Sequence, residues 1–178
     1  PVEVSILGCP GAVGLGMAIC RYPVEAGSDA AVWGLGPMGI GVVQGARLQG
    51  AKTIIGIDPI RYRRELALKL GATHVLDPNE YMGNGLVAKI RELTPDIAPA
   101  GRRYLGEHPA GVLYGFEATA PTNFPLPPGI EAPPQGADVF QQIYTAVRNT
   151  GYIQMAGAVR SSALMMVGNK VVVGGNFP

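Results

Sequence analysis

Short, fully apolar runs alternate along most of the chain with stretches in which apolar residues recur every three or four positions. Ala30–Trp33 is the first such run. It leads into Gly34-Leu35-Gly36-Pro37-Met38-Gly39 and then a helical pattern through Ile40, Val43, Ala46, Arg47 and Leu48, which stops at Gly50. Thr53–Asp58 reads as a second buried strand, Arg61–Leu70 as a helix closed by Gly71, and Thr73–Leu76 as a third strand ended by Asp77-Pro78. Asn84–Leu93 is a helix carrying Leu86, Val87, Ile90 and Leu93, and Gly111–Glu117 is a fourth strand. A helix over Ala137–Val147 and strands at Tyr152–Ala156 and Lys170–Val173 complete the series. Strands that are apolar without alternation are buried on both faces, which is the habit of a parallel sheet covered by helices on each side. The pattern therefore predicts an α/β fold, a doubly wound six-stranded parallel sheet of the dinucleotide-binding (Rossmann) kind.

Composition narrows the classes. The 178 residues are enough for one domain with its own core. Fourteen Lys and Arg stand against 13 Asp and Glu, so no charge footprint argues for nucleic acid or a membrane surface. A hydrophobic share of 47% excludes wholesale disorder. Glycine is in excess at 26 residues, while six of the 16 prolines fall between Pro121 and Pro134. The stretches 94–110 and 119–135 read as insertion loops, the second of them Pro-rich. Cys9 and Cys20 are too few for a disulfide scaffold or a four-thiolate zinc knot, and His74 and His108 cannot build a multi-histidine metal site alone. The longest uncharged runs, Val4–Cys20 and Ala30–Ala46, have 17 residues each and are interrupted by Gly and Pro, so no bilayer span is expected. No charged leader with a cleavage site is visible, which makes a cytoplasmic location the expectation. The apolar beginning at Pro1 and the strand-like end at Val171–Pro178 suggest a piece of something larger.

Candidate chemistry gathers at the first strand–helix junction. Gly34, Gly36 and Gly39 form G-x-G-x-x-G between a strand and a helix, and Asp58 follows 19 residues after Gly39 at the end of the second strand. Gly34 suits the tight turn, Gly36 leaves room for a pyrophosphate, and Gly39 lets helix pack closely on strand. Pro37 fits the first helical turn and removes one phosphate donor, which raises the importance of the Met38 N–H. Asp58 stands where it would accept hydrogen bonds from an adenosine ribose diol and repel a 2′-phosphate, favouring NAD over NADP. Arg61, Arg63 and Arg64 leave this open from sequence, because they could hold a 2′-phosphate or simply form a solvated basic helix start. Cys20 is expected on a helix and in the core, and His74 and His108 in structural or solvated roles.

An ordered series of motifs accompanies that junction. Leu7-Gly8-Cys9-Pro10-Gly11, Gly14-Leu15-Gly16 and Val24-Glu25-Ala26-Gly27-Ser28 precede it. Ile54–Asp58, Leu70-Gly71-Ala72-Thr73, Phe116-Glu117-Ala118 and Gly174-Gly175-Asn176-Phe177 follow. Over nearly its whole length the chain resembles the cofactor-binding domain of zinc-dependent medium-chain alcohol dehydrogenases. The resemblance implies a lead-in from the catalytic domain with a first helix over 1–28, and an NAD-binding domain over 29–178. It also implies that Cys9 is one ligand of the catalytic zinc, although by itself Cys9 reads as a small buried hydrophobe. Val13 would lie near the nicotinamide and Arg63 beside the adenosine ribose. Ala156, Gly157 and Ala158, with Asn176 and Phe177, would face the carboxamide. The parent enzyme would transfer hydride from a zinc-bound alcohol to NAD, with a small alcohol or aldehyde as substrate, and would pair as a homodimer through the sixth strand.

The departures from the family matter as much. Neither histidine stands in a Gly-His-Glu motif, and the four cysteines of a structural zinc lobe are missing. With the catalytic domain absent, no catalytic set is complete here and the chain alone is expected to be inactive. Two alternatives remain: a noncatalytic NAD-binding or structural module, and an S-adenosylmethionine-dependent methyltransferase, which shares a glycine-rich first loop and an acidic second-strand end. A short-chain dehydrogenase is excluded, because no tyrosine has a lysine four residues on.

Overall fold

Every residue of the first two strands is buried, over Asp29–Trp33 (β1) and Thr53–Ile57 (β2), and beyond the leading Asp29 and Thr53 both are apolar throughout. The structure, a computed structural model, describes residues 4, 8–20, 22–95, 110–119, 139–156 and 171–174. The remaining strands are His74–Leu76 (β3), Val112–Glu117 (β4), Val147–Met155 (β5) and Val171–Gly174 (β6). All pairings are parallel, in the order β3-β2-β1-β4-β5-β6. Chain direction across the sheet reverses between β1 and β4, which makes the gap at their carboxyl ends the switch point where such folds take ligands.

The helices are Cys9–Ile19 (α1), Pro37–Leu48 (α2), Arg61–Leu70 (α3), Gly85–Leu93 (α4) and Val139–Ala146 (α5), with a short 3-10 turn at Pro78–Glu80. They divide the core in two. Ala30, Val32, Ile54, Tyr114 and Phe116 pack against α1, α2 and α3, whereas Ala31, Trp33, Ile55, Ile57 and Ile153 pack against α4 and α5. Alternate residues of one strand thus serve opposite layers, which is the doubly wound arrangement the sequence predicts.

Helix α1 lies directly on the backbone of α2. A Cβ added at Gly41 would sit 3.0 Å from both Gly11 O and Leu15 N, and one at Gly45 would sit 2.7 Å from the Ala18 methyl. One at Gly14 would lie 2.0 Å from Met38 O, so the contact begins where α2 begins. The glycines and alanines of the two helices are what permit the approach. Downstream of α1, Tyr114 donates its hydroxyl to Pro23 O at 3.0 Å and Gln154 donates to Tyr22 O at 3.2 Å, pinning the connection into β1 across the sheet.

Some expectations shift. Cys20 is exposed just beyond the last turn of α1, because the helix ends at Ile19 with Cys20 as its cap. Leu48 is exposed at the end of α2, two residues beyond Ala46, the last buried position of that helix. Val147 leaves the helix and pairs with Val112, after which β5 bulges until Tyr152 meets Tyr114. Thr150, inside that bulge, carries a positive φ of 65°. The expected insertion loops, and His108, lie almost wholly outside the described residues.

Candidate functional site

The turn between β1 and α2 is built around three glycines with three different constraints. Gly34 has φ +89°, and a Cβ there would lie 2.5 Å from Ala118 O, so the turn passes tightly under the end of β4. Gly39 sits over the same turn: its Cβ would fall 1.8 Å from Gly34 O. Gly36 is different. It caps α2 with ordinary extended angles, φ −68° and ψ −173°, and a Cβ added to it would find nothing within 4 Å among the described residues. Neither backbone angle nor packing demands glycine at this position. Pro37 is the first residue of α2 and its N-cap, Gly36, has no side chain to bond the first turn, which leaves the Met38 and Gly39 N–H groups without a cap from that residue.

Asp58 follows β2 directly and is 2% exposed. Its Oδ2 accepts the Leu35 N–H at 2.8 Å, and its Oδ1 accepts the Ile60 N–H at 2.8 Å. The residue expected to face a ribose is therefore also bonded into the glycine loop. Arg63 Nη1 lies 3.5 Å from Asp58 Oδ2. The other two arginines are committed elsewhere. Arg61 pairs with Glu65 at 2.8 Å, and Arg64 pairs with Asp77 at 2.8 Å while donating to the Asp58 carbonyl at 2.7 Å. A solvated basic helix start thus describes Arg61 alone.

Across the switch point, Glu117 is fully buried at the end of β4 and accepts from both the N–H (2.7 Å) and the hydroxyl of Thr119. Its carbonyl accepts the Ala156 N–H at 2.9 Å, which brings Ala156 to the same carboxyl edge of the sheet. Glu117 stands in the sequence only as part of the Phe116-Glu117-Ala118 motif, and Arg64, there a candidate for a 2′-phosphate or a solvated helix start, is instead held by Asp77 and the Asp58 carbonyl. The available signal was charge at the margin of apolar strands, which marks groups that must be paired when buried.

Other expected site residues fall as follows. Val13 is half-buried on α1, next to Gly14 and therefore close to Met38. Cys9 is the first residue of α1. Gly157, Ala158, Asn176 and Phe177 lie outside the described residues. His74 is exposed on β3, with its Nδ1 2.9 Å from the Thr73 hydroxyl. Among the described residues, no group of three or more His, Cys, Asp or Glu side chains is placed to hold a metal ion. A single thiolate cannot supply the three protein ligands of a catalytic zinc, so the described residues do not fit a zinc site of their own.

Comparison with known proteins decides the family. The family model described as zinc-binding dehydrogenase matches residues 37–126, half of the chain. The chain belongs to the zinc-binding dehydrogenase family. Among curated relatives, alcohol dehydrogenase class-3 of Caenorhabditis elegans is 47% identical over 79 residues, which are 44% of this chain and 21% of that protein. The NDMA-dependent alcohol dehydrogenase of Amycolatopsis methanolica is 40% identical over 95 residues, 53% of this chain and 24% of that protein. Among solved structures, benzyl alcohol dehydrogenase from Acinetobacter calcoaceticus superposes with a TM-score of 0.72 at 27% identity, covering 98% of this chain and 41% of that one. The matched segments span only a fifth to a quarter of those curated relatives. The relatives are alcohol dehydrogenases, and family membership sets the methyltransferase alternative aside. No helix among the described residues is long and apolar enough to cross a membrane.

Proposed function

We propose that this chain is the NAD(H)-binding part of an NAD-dependent alcohol dehydrogenase, which takes a small alcohol or aldehyde as substrate. The observation that carries this reading is Gly36. A glycine that neither backbone strain nor packing requires, placed at an uncapped helix N-terminus on the switch point, makes sense as room for a ligand's phosphates. The first-turn amides of Met38 and Gly39 would hold the pyrophosphate. Asp58 would accept from the adenosine ribose, with Arg63 beside it. Val13, the backbone of Ala156, Gly157 and Ala158, and the Asn176–Phe177 segment would border the nicotinamide end.

When bound, NAD supplies the hydride acceptor, and the chain's own contribution is to hold and orient it. NAD is favoured over NADP because Asp58 is negative and two of the three nearby arginines are engaged with Glu65 and Asp77. Zinc belongs to the same proposal for the parent enzyme, with Cys9 as one ligand. The same proposal includes a homodimer through β6, which is the outermost strand on its side of the sheet among the described residues and so offers an edge for pairing.

The test is calorimetric titration of NADH and NADPH into the purified chain and its Gly36→Ala variant. Saturable NADH binding, weaker NADPH binding, and loss of both in a Gly36→Ala variant of unchanged melting temperature are the expected results. Equal binding by that variant, or no binding by the folded wild-type chain, overturns the reading. A noncatalytic module would bind NADH in the same way, and alcohol turnover by the full-length parent separates it from an enzyme.

A further inference from the structure

This inference rests on the nucleotide reading above and adds a residue to it. Of the three arginines at the start of α3, Arg64 is the one withdrawn from solvent: its side chain is 15% exposed, against 40% for Arg63 and 85% for Arg61. Its Nη1 donates to the Asp58 carbonyl at 2.7 Å and lies 2.8 Å from Asp77 Oδ2. Asp77 is itself held, since its Oδ1 accepts the Asn79 N–H at 3.0 Å. One guanidinium therefore ties the end of β2 to the turn that follows β3.

The tie falls on a particular peptide. Residue 59 is proline, so the peptide joining Asp58 to it has no N–H, and its carbonyl is its one polar handle. Arg64 takes that handle. On the other side of the residue, the Asp58 N–H donates to Leu76 O at 3.3 Å. The Asp58 main chain is thus gripped before and after Cα, and its carboxylate meets the Leu35 and Ile60 amides from that fixed base.

We propose that Arg64 is a positioning residue for nucleotide recognition: by anchoring the Asp58–Pro59 carbonyl against Asp77, it sets the angle at which the Asp58 carboxylate meets the adenosine ribose diol. Arg64 does not itself contact the ribose in this scheme. Its loss frees the peptide to rotate and leaves Asp77, a mostly buried carboxylate, without its counter-charge.

The experiment compares the wild-type chain with Arg64→Ala, Arg64→Lys and Asp77→Asn, each also in an Asp58→Asn background. NADH affinity is measured beside that of an NADH analogue lacking the adenosine 2′- and 3′-hydroxyls. Arg64→Ala is expected to weaken NADH about ten- to hundredfold, the range for one hydrogen bond to a charged group. It is expected to leave the analogue unchanged and to add no further loss to Asp58→Asn. Arg64→Lys recovers part of the affinity, and Asp77→Asn gives a smaller loss of the same pattern. The Leu35 amide resonance, a readout needing no nucleotide, should move in Arg64→Ala. Equal loss for NADH and the analogue, full additivity with Asp58→Asn, or unchanged NADH affinity overturns the proposal. If Arg64→Ala does not fold, Arg64→Lys and Asp77→Asn carry the same comparison. Absence of NADH binding by the folded wild-type chain overturns the nucleotide reading itself, whereas wild-type binding that is indifferent to Arg64 overturns only its positioning role.

Discussion

The Leu35 N–H donates to Asp58 Oδ2 at 2.8 Å, joining the middle of the glycine loop to the end of the second strand through a carboxylate that is 2% exposed. Asp58 therefore has two duties, as a fastener within the fold and as the proposed ribose acceptor. Replacing it by alanine leaves the Leu35 and Ile60 amides without their acceptor. Chemical denaturation of Asp58→Ala should show a loss of about 2–4 kcal/mol, so poor binding by that variant would not isolate the ribose contact. Asp58→Asn, which keeps one acceptor oxygen, should lose less stability and still bind NADH poorly. Equal stability of Asp58→Ala and wild type would refute the fastening role.

Gly36 and Gly39 should separate function from folding. A Cβ at Gly39 would fall 1.8 Å from a backbone oxygen, and Gly39→Ala should cost about 3 kcal/mol in urea denaturation. At Gly36 nothing among the described residues lies within 4 Å, so Gly36→Ala should fall within about 0.5 kcal/mol of wild type while losing NADH. A large stability loss in Gly36→Ala would mean that the position is structural after all.

Thr150 is β-branched and exposed, yet it holds a φ of 65°. The left-handed region costs a non-glycine residue ~1–2 kcal/mol, part of which a glycine returns through its freer unfolded chain. Thr150→Gly should therefore stabilise by about 0.5–1 kcal/mol and raise the melting temperature by roughly 1–3 °C. A lower melting temperature would show that the threonine side chain contributes more than its backbone strain removes.

Tyr114 should make the fold sensitive to alkali. Burial, and secondly the negative charge of Glu25, raise its phenol above the ordinary value of 10.0. The folded chain therefore keeps this proton where the unfolded chain releases it. Its contribution is complete below pH 10.0 and is lost as pH rises through the higher folded value. Tyr114→Phe should cost about 1 kcal/mol at neutral pH through loss of the bond to Pro23 O. Urea midpoints followed through this range should fall less steeply in Tyr114→Phe than in wild type, and parallel curves would count against the buried phenol.

Much of this was legible in one dimension because the fold is repetitive. Continuous apolar runs at Ala30–Trp33 and Thr53–Ile57 can only be central parallel strands, and a G-x-G-x-x-G between a strand and a helix has few other uses. The helix over Arg61–Leu70 matched residue for residue, since Gly71 ends it on local grounds. Cys20 was misplaced, and Leu48 continues the helical spacing without joining the core, because each lies at a helix end beyond the last buried position of its helix. Val147 was given to the helix because periodicity alone does not reveal its pairing with Val112.

The amino-acid order by itself determined the strand–helix alternation, the parallel sheet, the family likeness and the positions of Gly34, Gly36, Gly39 and Asp58, because each leaves its mark in the residue pattern of short stretches of chain. Only the tertiary structure decided that Gly34 and Gly39 are required by packing while Gly36 is not, and that Arg61, Arg63 and Arg64, within four residues of chain, face Glu65, Asp58 and Asp77 respectively. Those outcomes depend on partners from other strands and turns, whose approach is set by the packing of the whole sheet.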